Sequence, residues 1–90
     1  MSIQPYGSSP VFDENSLPEA LRNKHSTKSH TWGRLNVLSG SVKLVYHEPA
    51  REIIVTPDAA APLLPEQPHH VEVIGPVKMR VDFYHQDPDA

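Results

Sequence analysis

The chain contains no cysteine. Neither a disulfide framework nor a thiolate site can therefore reinforce its core, any metal must be held by His, Asp or Glu, and a reducing compartment is the simplest setting. Glycine is scarce, at four residues. That is too few for a glycine-rich phosphate loop or a dinucleotide cradle, and no Gly-x-Ser-x-Gly elbow offers a hydrolytic nucleophile. Basic residues are also few, eight against eleven acidic ones for a net charge of −3, and they are scattered along the chain. The electrostatic stripe of a nucleic-acid binder is missing, so no nucleic-acid partner is expected. No apolar run approaches the roughly 20 residues of a membrane span, and Met1-Ser2-Ile3-Gln4-Pro5 lacks the basic start and apolar stretch of a secretory signal. A cytoplasmic, soluble protein without a membrane partner is the expectation.

Proline, by contrast, is abundant, at ten of 90 residues. Proline cannot donate to a sheet ladder and punctuates strands, so many short strands joined by fixed turns are predicted, and with them an all-β class. Residues 1–90 are read as one domain, which at this length buries only about 60 to 65% of its unfolded surface. Residues 1–10, with Pro5, Gly7, Ser8, Ser9 and Pro10, carry no periodicity and are expected to form an extended arm. Ser16-Leu17-Pro18-Glu19 has the form of a capping box and predicts one short helix from Leu17 to about Asn23, with Leu17 and Leu21 packed inward.

From Arg34 the pattern is that of strands. Leu35 and Val37 alternate with Arg34 and Asn36, and Ser39-Gly40 turns the chain into Val42, Leu44 and Tyr46, which predicts a hairpin. A β-branched strand over Glu52–Thr56 ends at the turn pair Pro57-Asp58. Residues 59–68 form a proline-spaced connector with Leu63 and Leu64 reaching inward. A second hairpin, His69–Ile74 with Val77–Tyr84 around Gly75-Pro76, closes the chain, and residues 86–90 are expected to fray. Strands this short and closely spaced fit a sandwich or a barrel, and periodicity does not choose between them.

Two blocks carry a resemblance. Lys24-His25-Ser26-Thr27-Lys28 followed by the run Trp32 to Val42 resembles the first conserved block of the TehB/YeaR-like cupins. Pro65-Glu66-Gln67-Pro68-His69-His70-Val71-Glu72, followed by Val81-Asp82-Phe83-Tyr84, resembles the second. The resemblance extends from about residue 12 to 85. It implies a small single-domain cupin, a double-stranded β-helix or jelly-roll barrel, with a metal site at its mouth. In the wider cupin pattern a glutamate would stand where Gly33 does, so one usual ligand is missing. Longer proteins of this type join such a barrel to a methyltransferase domain linked with tellurite resistance, and the four glycines here cannot build an S-adenosylmethionine cradle of the doubly wound type.

The resemblance makes His25 and His69 candidate metal ligands for a divalent ion: zinc, iron, nickel or manganese. Imidazole is the commonest protein metal ligand, and a three-ligand site leaves a position for water or substrate. A third ligand follows from the second hairpin: with Gly75 and Pro76 as turn residues, His69 lies opposite Asp82. Asp82 reads equally well as a carboxylate paired with Arg34 or Arg80. Trp32 and Arg34 are candidate ligand-binding residues, Arg34 through its bidentate fork for carboxylates. His70 should point away from whatever His69 addresses. His30, His47 and His85 have no spaced partner and read as exposed imidazoles. The expected function is that of a small metal-binding cupin, a ligand-binding or stress-response module of the TehB/YeaR-like type for a small molecule or oxyanion. A metal-dependent oxygenase or isomerase and a metal-free interaction domain are the alternatives. Cupins commonly dimerise through strand exchange or sheet edges, so a homodimer is the assembly that the resemblance implies.

Overall fold

Alternation shapes the chain from Trp32 onward. In β3 (Trp32–Gly40) Gly33, Leu35 and Val37 are buried while Trp32, Arg34 and Asn36 are half-buried on the other face. In β4 (Val42–His47) Val42, Leu44 and Tyr46 are buried between Lys43, Val45 and His47. Successive side chains of a strand leave on opposite faces, so each strand presents one apolar row to the interior. The computed structural model describes residues 3–48 and 50–88. The remaining strands are β1 (Gly7–Ser8), β2 (Phe12–Asp13), β5 (Ala50–Val55), β6 (Ala61–Leu63), β7 (His69–Glu72) and β8 (Val77–Tyr84), with one helix, α1 (Glu19–Arg22).

These strands form two antiparallel sheets. One has the order β1-β8-β3-β6, with β2 also on β8, and the other has the order β5-β4-β7. Their inner rows meet in a core that includes Leu35, Val37, Leu44, Val55, Val71 and Met79. Tyr46 ties the layers together, since its buried ring stands on β4 while its hydroxyl donates to the Pro62 carbonyl on β6 at 2.6 Å. The architecture is all-β and barrel-like with one short helix. Among the described residues no helix is long and apolar enough to cross a membrane.

Strand pairing differs from the two hairpins expected. β3 pairs with β8 and β6, whereas β4 pairs with β5 and β7. The chain therefore changes sheet at Gly40 instead of folding back. The same holds at Gly75-Pro76: β7 lies on β4 and β8 lies on β3, so the expected closing hairpin does not exist. β4 and β5 are the consecutive pair that does form a ladder, from Val42 opposite Val55 to His47 opposite Ala50.

The amino-terminal segment is an edge strand. β1 pairs Gly7 with Phe83 and Ser8 with Asp82, and β2 pairs Phe12 with Met79. Residues 1 and 2 of the expected arm, and 89 and 90 of the expected frayed tail, lie outside the described residues. The helix is shorter than expected, and its capping box does not form. Pro18 stands at the N-cap position with no side-chain cap bond, and Asp13 instead organises the turn before it, its carboxylate accepting from the Asn15 and Ser16 amides at 2.8 Å each, while the Ser16 hydroxyl accepts from the Asp13 amide. Three local bonds to Asp13 and Ser16 form an Asx-type turn that competes with a helical start. Leu17 is buried, and Leu21 packs against the core. Within the connector, Leu63 is buried on β6, whereas Leu64 is exposed because it points to the opposite side.

Candidate functional site

One end of the layered structure is covered by the segment between α1 and β3. His25 forms a one-residue antiparallel bridge with His69, its amide donating to the His69 carbonyl at 3.0 Å and its carbonyl accepting from the His69 amide at 2.8 Å. Farther along, Thr27 runs parallel to Pro65, with the Glu66 amide on the Thr27 carbonyl and the Thr27 hydroxyl on the Leu64 carbonyl. The segment is thus stitched to the chain before β7. Beneath it lies a cavity of about 340 Å³. Leu63, Val81 and Phe83 supply apolar walls from β6 and β8, Leu21 and Tyr6 close the sides, and His25, Thr27, Lys28 and His69 bring polar groups. Gly33 keeps this wall open, since a Cβ there would stand 3.2 Å from Leu63.

The two imidazoles meet with ring centroids 4.2 Å apart at 64°. Each Nδ1 faces a backbone carbonyl, Asn23 O at 3.0 Å for His25 and Gln67 O at 2.8 Å for His69. A carbonyl only accepts, so each Nδ1 carries a proton, and in the neutral imidazole the lone pair then lies on Nε2. Burial holds the His69 imidazole below the usual histidine range; the Gln67 bond opposes this, and the nearby imidazoles of His25, His47 and His70 reinforce it. His69 is therefore neutral at neutral pH and presents an acceptor nitrogen.

That depression sets a pH dependence. Unfolded His69 gains a proton as pH falls through about 6.5, whereas the folded side chain resists it, so stability is lost as pH drops from that value toward the lowered folded one. In chelator-treated buffer the urea midpoint of the wild-type chain should fall between about pH 7 and pH 5. His69→Asn, which keeps a donor for the Gln67 carbonyl but does not titrate, should show a shallower fall. Identical slopes would remove His69 as the cause.

Of the residues expected at the site, the structure brings His25 and His69 together and places the other three elsewhere. Asp82 is on the outer face of β8, opposite Arg34 and Ser8 and not His69. It accepts from Ser8 Oγ at 2.5 Å, Arg80 Nε at 3.0 Å and Asn36 Nδ2 at 2.6 Å. The expectation that Asp82 completes the metal site rested on the closing hairpin and falls with it. Trp32 and Arg34 are also on the outward face of β3, where Arg34 lies over the Tyr84 ring at 5.6 Å, and neither lines the cavity. Among the described residues no three His, Asp or Glu side chains converge for a metal ion. The three-ligand set is not present.

Sequence reasoning passed over Thr27, Leu63 and Val81 as cavity walls, although the inward parity of Leu63 and Val81 was available. It also left His47 without a partner. In the structure His47 Nε2 lies 2.7 Å from His70 Nδ1 on the outer face of β4 and β7.

The fold and site define a small all-β domain of two antiparallel sheets with a histidine-lined cavity at one end. A family profile described as the TehB-like domain matches residues 7–81. The chain belongs to the TehB-like family. It is 35% identical over 75 residues to a protein of Haemophilus influenzae (strain 10810) named probable S-adenosyl-L-methionine-dependent methyltransferase TehB, a match covering 78% of this chain and 26% of that protein. The crystal structure of TehB from Haemophilus influenzae superposes with a TM-score of 0.79 at 32% identity, over 88% of this chain and 30% of that one. A crystal structure of an Escherichia coli (strain K12) protein matches in fold, with a TM-score of 0.79 at 22% identity, over 88% of this chain and 86% of that chain. The chain spans about a quarter of the length of the curated relative.

Proposed function

We propose that this chain is a small-molecule-binding module whose cavity takes a small organic acid bearing a hydroxyl or similar donor. The apolar body would rest on Leu63, Val81 and Phe83, the donor would face the lone pairs of His25 and His69, and the carboxylate would lie toward exposed Lys28. The observation that carries this reading is an apolar cavity bordered by two imidazoles whose Nδ1 protons are already committed to carbonyls. Ligand sites are mostly apolar clefts of about 300 to 1,000 Å³ with a few placed polar groups, and this one falls at the small end of that range. A probable methyltransferase activity is named for relatives about four times this span, and the cavity would serve as a recognition element alone.

An NMR titration with short aliphatic hydroxy acids tests the proposal. Shifts should concentrate at Leu63, Val81, Phe83 and His69, and Leu63→Trp, which fills the space, should weaken binding by at least about tenfold, or 1.4 kcal/mol. A thermal melt of that variant separates filling from unfolding. Shifts that map away from the cavity, or affinity unchanged in a folded Leu63→Trp variant, would overturn it.

The tautomers support a second reading, in which a divalent ion such as zinc, iron, nickel or manganese sits on His25 Nε2 and His69 Nε2. Metal-bound histidines usually donate their other ring N–H to a carbonyl or carboxylate, as both do here. Two protein nitrogens would be its whole protein ligand set, and no chemical step is assigned to it. Metal analysis of untagged protein should find about one ion per chain, lost in both His25→Ala and His69→Ala. Metal content well below one ion, or unchanged in those variants, removes this reading.

A further inference from the structure

On the outer face of the β5-β4-β7 sheet, away from the cavity, a second pair of histidines is arranged differently. His70 stands opposite Val45 in the β4–β7 ladder, and His47 follows two residues on, so the two side chains are diagonal neighbours on one face. His47 Nε2 and His70 Nδ1 are 2.7 Å apart, with ring centroids at 4.8 Å. The other nitrogen of His70, Nε2, donates to Glu72 Oε2 at 2.8 Å, and Glu72 is held in turn by Lys43 at 3.6 Å.

We propose that His47 Nε2 and His70 Nδ1 form a binding site for a tetragonal divalent ion, copper(II) above all, with Glu72 orienting His70. Two nitrogens bound in adjacent positions of a tetragonal ion at about 2.0 Å stand about 2.8 Å apart, close to the 2.7 Å found here. A tetrahedral zinc ion at about 2.0 to 2.1 Å would require about 3.3 Å, forcing the rings apart. The proton balance is simple. In the neutral pair one proton lies between the rings; the ion takes its place, and the His47 proton is carried on Nδ1 instead of Nε2. His70 keeps its Nε2–H on Glu72, the carboxylate–histidine–metal arrangement that fixes ligand orientation. Copper(II) also stands at the top of the affinity order for nitrogen ligands, and water would fill its other positions.

The test uses the full chain, untagged, titrated with copper(II) alone at neutral pH. An axial paramagnetic resonance spectrum with couplings to two imidazole nitrogens is expected at one equivalent. His47→Ala and His70→Ala should each lower affinity at least about tenfold and remove one nitrogen coupling, and Glu72→Gln should lower affinity by a smaller factor. His30→Ala, which belongs to neither pair, should leave the spectrum unchanged, and the two nitrogen couplings should persist in His25→Ala, which separates this site from the cavity. Copper binding that survives both His47→Ala and His70→Ala, or that is lost in His25→Ala, would overturn the proposal. Circular dichroism on each variant checks that the sheet is intact, as is expected for two histidines on the outer face.

Discussion

Replacing Gly40 with alanine is expected to destabilise the fold by about 3 kcal/mol or more, combining the strain of left-handed backbone with overpacking. Gly40 holds φ at +74°, and a Cβ there would overlap the Pro76 carbonyl oxygen, a backbone atom that cannot rotate away. The clash sits where β3 ends against the start of β8, with Gly40 opposite Val77. At about 4 to 8 °C per kcal/mol, the melting temperature should fall by at least about 12 °C. Gly75→Ala is the internal control. Nothing lies within 4 Å of the added atom and its φ is not positive, so its effect should stay within about 0.5 kcal/mol. Equal melting temperatures for the two variants would show that β3 and β8 can separate at this corner without loss.

Asp82→Ala is expected to cost about 2 to 4 kcal/mol and to release the amino-terminal edge strand. The Asp82 carboxylate is buried and gathers bonds from Ser8 on β1, Asn36 on β3 and Arg80 on β8. Bonds to a charged group contribute about 1.5 to 3 kcal/mol each when buried, and partial exposure of Arg80 and Asn36 reduces the sum. Ser8 is the strand's side-chain hold on this carboxylate, so limited proteolysis before Ser9 should accelerate along with the drop in melting temperature. Asp82→Asn, which retains an acceptor oxygen, should fall between wild type and Asp82→Ala. A melting shift below about 5 °C with unchanged cleavage would show that the clamp contributes little.

Much of the strand content was legible because its signal is local. Leu35, Val37, Val42, Leu44 and Tyr46 declare their inward face by period-two alternation, and all five are buried. Pairing was not legible. Ser39-Gly40 and Gly75-Pro76 read as hairpin turns, yet the same residues serve a corner at which the chain leaves one sheet for the other. Asp82 was misplaced for that reason alone, and the competing reading of it as a partner of Arg80 is the one the geometry shows. That Trp32 and Arg34 do not line the cavity follows from the same parity: if Leu35 and Val37 face inward, residues 32 and 34 face outward. The meeting of His25 and His69 came from the family resemblance and not from periodicity, because 44 positions separate them in the sequence. His47 and His70 needed the β4–β7 register, which no local pattern contains.

The sheet change at Gly40 also governs how the chain reaches its native state. Among the described residues, β4 with β5 apart, neighbouring strands do not pair with each other, so most ladders must close long loops before any bond rewards them. Chains dominated by such distant pairings fold in milliseconds to seconds and not in microseconds. The β4–β5 ribbon is the one nucleus available at short range, and β8, which joins β1, β2 and β3, can be seated only after nearly the whole polypeptide has been gathered.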